Sequence, residues 1–224
     1  RGLGDVYKRQ ILVCRADRSI TRDIRDKIAL FTNVPHGRVI SLPDADTIYN
    51  VPLILHEEGL DDAVCELLNI WASEPTLDVW KRIVSTLREP AARVKIGVVG
   101  KYVDLAESYK SLSEALVHGG LANSAAVEVE YIDAESIGPK GDAASLAEVD
   151  GILVPGGFGE RGSEGKVSAI RYARENNVPF FGICLGMQMA VVEFARNVVG
   201  IEKAASAEFD GCQDAVIHLM EDQE

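Results

Sequence analysis

Pro179-Phe180-Phe181-Gly182-Ile183-Cys184-Leu185-Gly186-Met187-Gln188 decides how this chain is read. An apolar, β-prone run from Val178 to Ile183 meets Gly-x-Cys-x-Gly, and a helical pattern follows. Strand, sharp turn and helix in that order are the layout of a nucleophile elbow. The central residue of such a turn sits in a strained backbone conformation, so the positions two away must be small, as Gly182 and Gly186 are. The turn lifts the Cys184 side chain out of the sheet and sets it at a helix N-terminus. There the helix dipole and unpaired N–H groups favour a thiolate over a thiol. A buried structural cysteine is the bland alternative. The paired glycines and the switch from strand to helix favour the nucleophile.

On either side of the elbow, strands and helices alternate. Lys95 to Val99, Val127 to Ile132, Gly151 to Val154 and Val178 to Ile183 read as strands. Ser108 to His118, Ser163 to Glu175 and Gly186 to Asn197 read as helices, the first stopped by Gly119-Gly120, and Leu146 sits in a short helical turn. Successive β-α units of this length predict an α/β fold with a doubly wound parallel sheet. Active residues of such folds gather at the carboxyl ends of strands, where Cys184 and the loop at Gly156 fall.

Upstream the pattern differs. Residues 1–10 lack periodicity and are set aside as a possible foreign leader. Ile11 to Cys14 and Arg38 to Leu42 read as short strands around a helix from Thr21 to Phe31, which Asn33-Val34-Pro35 stops. Pro43-Asp44-Ala45-Asp46 is a turn with helix-capping chemistry. Val51 to Trp71 is helical, broken at Gly59, and Thr76 is the expected N-cap of a helix carrying Leu77, Trp80, Val84 and Leu87. These divisions predict one domain over 1–87, a linker over 88–93 and a second domain over 94–224.

The net charge of −12 argues against a nucleic-acid surface, which needs clustered Lys and Arg. It leaves room for small phosphorylated ligands. No apolar run is long enough to span a membrane. Four scattered cysteines without a C-x-x-C pair argue against a disulfide framework or a zinc site, so no metal ligand is assigned and a reducing cytoplasm is the expected location.

Gly157-Phe158-Gly159-Glu160-Arg161-Gly162 matches the dinucleotide pattern G-x-G-x-x-G. No carboxylate stands at the tip of the next strand to bind a ribose, and that reading fails. A better use is an oxyanion hole: Gly156 and Gly157 lack side chains, so their N–H groups can approach an oxyanion beside Cys184, the alternative being a tight turn with no ligand. Gly97 to Tyr102 has the wrong spacing for a phosphate loop and reads as a strand and turn. A cysteine nucleophile needs a base. His36, His56, His118 and His218 are present, and none is assigned to that role.

Taken together, Ile152-Leu153-Val154-Pro155-Gly156-Gly157-Phe158-Gly159, Gly182 to Gln188, and Lys27-Ile28-Ala29-Leu30-Phe31 with Asn33-Val34-Pro35 resemble the CTP synthase family. Ser41-Leu42 and Ile48-Tyr49 belong to the same resemblance, which runs from Ile11 to the end of the chain. The first two motifs mark class I glutamine amidotransferases broadly, and the third points to this family.

The resemblance implies a synthetase domain that phosphorylates the uracil O4 of UTP with Mg-ATP. It also implies a glutaminase domain whose ammonia displaces that phosphate to give CTP. Cys184 matches the catalytic nucleophile. Gly157, Phe158, Leu185, Gly186, Met187, Gln188 and Glu208 match the glutamine-binding set, Gly157 and Leu185 through their backbone. A carboxylate at Glu208 suits the substrate's α-ammonium. Lys27 matches a lysine shared by UTP and the inhibitor CTP, and Pro43, Asp44 and Ala45 match an ATP contact. GTP as activator and a homotetramer of the full-length enzyme are further implications.

The resemblance also implies that residues 1–87 are the C-terminal part of the synthetase domain and 94–224 the N-terminal part of the glutaminase. On that reading the family's phosphate loop and magnesium carboxylates lie upstream of this chain, and its triad His and Glu lie beyond Glu224. The segment alone is then expected to be inactive. Another Cys-elbow α/β hydrolase, or a non-catalytic binding or assembly module, stays open.

Overall fold

In a computed structural model the described residues are 9–101, 109–138, 144–157, 159–209 and 212–218. The chain divides into two compact units, Arg1–Glu89 and Pro90–Glu224.

In the first unit, β1 (Leu12–Ala16) pairs in parallel with β2 (Val39–Pro43). Parallel neighbours need a crossover, and α1 (Arg22–Thr32) supplies it. Ala29 of α1 is buried with Val34 and Val39, and Leu12, Cys14 and Ile28 pack around them. Asn33 ends α1 in the left-handed region at φ 55°, its amide donating to the carbonyls of Ala29 and Leu30. Arg25 holds Glu58 through both guanidinium nitrogens, at 2.5 and 3.0 Å, and the amide of Ser41 donates to the same carboxylate.

The capping expected of residues 43–46 is concentrated at its far end. Asp46 Oδ1 accepts from the Thr47 amide and from Asn50 Nδ2, and Thr47 Oγ1 accepts from the Tyr49 amide at the start of a 3₁₀ turn, Ile48–Asn50. That turn runs into α2 (Val51–Glu57), and Gly59 at φ 77° opens α3 (Leu60–Leu68). Asn69 turns left-handed at φ 54°, so α3 ends short of Trp71. Thr76 is not an N-cap: α4 (Asp78–Arg88) starts after Leu77, with no side-chain cap.

In the second unit, β3 (Ala92–Gly100), β4 (Ala125–Asp133), β5 (Gly151–Val154) and β6 (Phe180–Gly182) form a parallel sheet in the order β4-β3-β5-β6. Only residues 89–91 join α4 to β3. The crossovers carry α5 (Lys110–Ala122) and α6 (Ser163–Glu175), and α7 (Leu185–Phe194) follows β6. After β4 the chain returns past β3 to start β5, so the order reverses between β3 and β5, the kind of place where such sheets receive ligands. Every residue of β5 is buried. Around it Val99, Ile132, Leu146, Ile170, Leu185, Met189 and Val192 complete one core.

One expectation fails here for a steric reason. Gly119-Gly120 does not stop α5, which runs on to Ala122, where Asn123 caps it and Ser124 turns left-handed at φ 56°. A Cβ at Gly120 would sit 2.6 Å from the Ala125 carbonyl oxygen and 2.7 Å from Val127 Cγ2, so this glycine admits β4 and does not break the helix. The helix after the elbow runs past Asn197 as expected, though not as α-helix throughout. It passes into a π turn, Ala195–Val199, closed by Gly200. Beyond it β7 (Ala204–Ser206) and β8 (Asp214–Ile217) pair in parallel and pack against α7.

Between α6 and α7 lies a polar contact that the sequence pattern hides. Glu193 is 1% exposed and takes Arg174 Nη2 at 2.8 Å and Nε at 3.1 Å, while Asn197 Nδ2 approaches at 3.2 Å. Arg174→Met should therefore strand a buried carboxylate. The expected loss is about 2–3 kcal/mol, below the value for a fully buried pair because the Arg174 side chain keeps a third of its surface in water. Adding Glu193→Met should restore most of it, since two apolar side chains leave no charge unpaired. Denaturant midpoints of the parent and the two variants read the difference.

Candidate active site

β6 ends at Gly182 and α7 begins at Leu185, leaving Ile183 and Cys184 to make the turn. Cys184 has φ 51° and ψ −110°, a combination that costs a side-chain-bearing residue energy and persists only where neighbours enforce it. The enforcement is visible. The Ile183 amide donates to Val154 O at 2.9 Å, the Gly186 amide to Ile183 O at 2.9 Å, and the Gln188 amide to Cys184 O at 3.1 Å. A Cβ on Gly182 would lie 2.6 Å from the Gly186 carbonyl carbon, and one on Gly186 would lie 2.0 Å from Val154 O. Neither position admits a side chain without moving backbone. Cys184 is exposed, whereas Cys14, Cys65 and Cys212 are partly buried.

The turn after β5 runs alongside. A Cβ built on Gly156 would lie 3.4 Å from Cys184 Cβ. One on Gly157 would lie 3.7 Å from Lys166 Nζ and 3.9 Å from Leu185 Cδ2. Leu185 is 1% exposed and is the first residue of α7, among the amides that a helix leaves without an internal partner. Cys184, Gly156, Gly157 and Leu185 are thus gathered at the carboxyl ends of β5 and β6. A thiol beside such turns can attack a carbonyl, and backbone N–H groups of a turn can receive the resulting oxyanion.

The other predicted glutamine residues are spread around this point. Gly186 is buried under β5, and Met187 is exposed. Gln188 is half-buried, and its Oε1 is buried without a hydrogen-bond partner among the described residues. Glu208 is exposed in the turn after β7, its amide donating to Ser206 Oγ at 3.3 Å. Since α7 packs against β7, the elbow helix and the strand leading to Glu208 are neighbours. Phe158 lies outside the described residues.

One group near the turn is missing from the sequence reading. Lys166 is 2% exposed, and burial, with the nearby charge of Lys101, holds its ammonium below the usual lysine range. The signal was its phase in α6: it shares a face with the buried Ile170 and Ala173.

In the first unit, Lys27 is exposed on α1. Pro43, Asp44 and Ala45 line a cleft of about 330 Å³ with Arg15, Leu42, Ile48 and Val51, and Arg15 Nε donates to Asp44 Oδ1 at 2.9 Å. Lys27 is not among the residues lining that cleft. Two roomier clefts of about 490 Å³ also lie in this unit, one beside His56 and Asp61 and the other beside Arg22 and His36. No group of three or more His, Cys, Asp or Glu among the described residues is placed to hold a metal ion.

None of the four histidines hydrogen-bonds Cys184. His36 Nδ1 lies 3.1 Å from Asp26 Oδ1 and His56 Nδ1 lies 2.6 Å from Asp61 Oδ2. His118 is on α5 and His218 follows β8. No helix among the described residues is long and apolar enough to cross a membrane.

Comparison with known proteins bears on both units. The class-I glutamine amidotransferase family model matches residues 104–223, more than half of the chain, and the CTP synthase N-terminus model matches residues 4–70. A CTP synthase of Trichlorobacter lovleyi and one of Geobacter sulfurreducens are each 57% identical over 215 residues, covering 95% of this chain and 40% of theirs. The chain therefore spans about 40% of the length of these curated relatives. Among solved structures, the glutaminase domain of Trypanosoma brucei CTPS with bound acivicin matches at a TM-score of 0.55 and 43% identity, covering 58% of this chain and 52% of that one.

Proposed function

The chain belongs to the class-I glutamine amidotransferase family, as a partial chain of the CTP synthases, and from that premise we propose that Cys184 is the nucleophile that opens glutamine. The thiolate attacks the side-chain carboxamide carbon, and the carbonyl pair moves onto oxygen. The N–H groups of Gly157 and Leu185 receive that oxyanion. By family resemblance Gly186, Met187, Gln188 and Phe158 belong to the same glutamine-binding set, and Glu208 takes the substrate's α-ammonium. The buried, unpartnered Oε1 of Gln188 supports a ligand contact at that position, because a buried acceptor is normally satisfied. Expulsion of ammonia and hydrolysis of the thioester both need a general acid–base that no described histidine supplies to Cys184.

In the whole protein, residues 94–224 are the front of the glutaminase domain and residues 1–87 the C-terminal part of a synthetase domain, joined over 88–93. The reaction they serve is ATP-dependent amination of UTP to CTP with glutamine-derived ammonia, with CTP as inhibitor, GTP as activator and a homotetramer as the working form. Lys27 contacts the pyrimidine nucleotide, and Pro43, Asp44 and Ala45 contact ATP. Magnesium delivered with ATP neutralises phosphate charge when bound. The described residues do not fit it, since none form a ligand set and Asp44 is already paired with Arg15. A reducing cytoplasm suits the exposed free thiol.

The observation that carries this reading is the positive φ of Cys184 between two glycines that cannot be enlarged. Its test is selective labelling. Limiting iodoacetamide near neutral pH should modify Cys184 before Cys14, Cys65 and Cys212, as read by peptide mapping, and glutamine should slow that reaction alone. Equal labelling of all four would remove the elbow from consideration.

A further inference from the structure

Lys166 is the largest fully buried side chain of α6, yet it carries a charge and makes no hydrogen bond or ion pair with any described residue. A methionine would fill the same space without the desolvation that an ammonium suffers. Its position explains the choice. Nζ lies 3.7 Å from where a Gly157 side chain would begin, so the ammonium occupies the side of the turn that glycine leaves open. The same turn passes Cys184 one residue earlier, at Gly156.

We propose that Lys166 is a positioning residue of the thiol site: its ammonium stands beside Gly157 and gives the turn the positive potential that an arriving oxyanion requires. This rests on Cys184 being the nucleophile. Fixed charge aimed at the atom where negative charge develops acts without reorganisation, and a water-poor surrounding strengthens it. Burial and Lys101 disfavour the ammonium, and an anion on the turn acts in the opposite sense.

Two alkylating reagents separate this role from a packing role. Iodoacetamide reacts with Cys184 by one displacement: sulfur bonds to the methylene carbon, iodide leaves with the C–I pair, and no carbonyl oxygen gains charge. A chloroketone analogue of glutamine reacts in two stages. Sulfur first adds to the ketone carbon as the C=O pair moves to oxygen. The sulfur bond then shifts to the methylene carbon, chloride leaves with the C–Cl pair, and the carbonyl re-forms.

In the 224-residue chain, Lys166→Met should slow the chloroketone reaction about tenfold or more and change the iodoacetamide rate less than about twofold. Unchanged rates with both reagents, or equal losses with both, overturn the proposal. Circular dichroism establishes that the variant is folded. If it is not, the ratio of the two rates in the unsubstituted chain decides, since thiol ionisation cancels in it. That ratio should fall as rising pH discharges the ammonium, and a flat ratio overturns the proposal. Should chloroacetone, which lacks the amino-acid part, react with Cys184 as fast as the glutamine analogue, the nucleophile reading itself fails and takes this proposal with it.

Discussion

Given glutamine, the 224-residue chain should release glutamate at roughly a millionth of the rate of a class-I glutaminase with a complete triad. Cys184 stands beside the turn at Gly156, and on the proposed reading a thiolate formed there can add to the carboxamide. Turnover needs more: the leaving nitrogen must be protonated, and water must then be activated against the thioester. Both tasks need an imidazole within hydrogen-bond reach of the sulfur. His36 and His56 face Asp26 and Asp61, and neither His118 nor His218 bonds the thiol. Triad members act as a unit, so losing the base costs about as much as losing the whole set. The oxyanion turn alone retains about a thousand-fold over water. Glutamate release from this chain, compared with a chain carrying the full length of its relatives, measures the gap. Activity confined to the longer chain and abolished by Cys184→Ala is the expected outcome. Comparable activity in the short chain, lost on replacing His118 or His218, would mean that one of them moves in as the base.

What the sequence showed and what it hid follow from the range of the forces involved. The elbow was legible because its constraint is local: a strained residue needs small neighbours two positions away, and Gly182 and Gly186 supply them within one turn of chain. The parallel sheet was legible because its strands are apolar runs separated by helical periods. Gly119-Gly120 misled because a glycine that ends a helix and one that admits a strand look identical in sequence. Only the approach of Ala125 and Val127 to Gly120 tells them apart. Thr76 misled in the opposite way, having the right chemistry for a cap without the geometry. Lys166 and Glu193 were hidden more deeply. Charged residues on helices are normally solvated. Their burial is decided by which elements close over them, α7 against α6 for Glu193 and the glycine turn against α6 for Lys166.

Gly186→Ala should cost the second unit about 3 kcal/mol or more and erase the labelling preference of Cys184, whereas Gly119→Ala should stabilise it. The two substitutions add the same methyl group to helical residues, so propensity alone predicts a gain of about 0.5–1 kcal/mol for each. At Gly119 nothing lies within 4 Å of the new atom, and that gain should be realised. At Gly186 the methyl would lie 2.0 Å from Val154 O, 2.8 Å from Val154 C and 3.0 Å from Val154 Cβ. The obstacle is backbone at the end of a fully buried strand, and it has no rotamer into which to retreat. Either β5 or α7 must shift by about 1 Å through a close-packed core, a change that overpacked cores resist. The same shift would break the bond from the Ile183 amide to Val154 O, which ties the elbow to the sheet. Cys184 would then relax from φ 51° toward an ordinary conformation and lose its fixed place beside Gly156. Thermal or denaturant midpoints read the stability, and competitive alkylation reads the thiol. A Gly186→Ala chain that melts like the parent and still labels first at Cys184 would show that the elbow tolerates a side chain where the structure leaves no room for one.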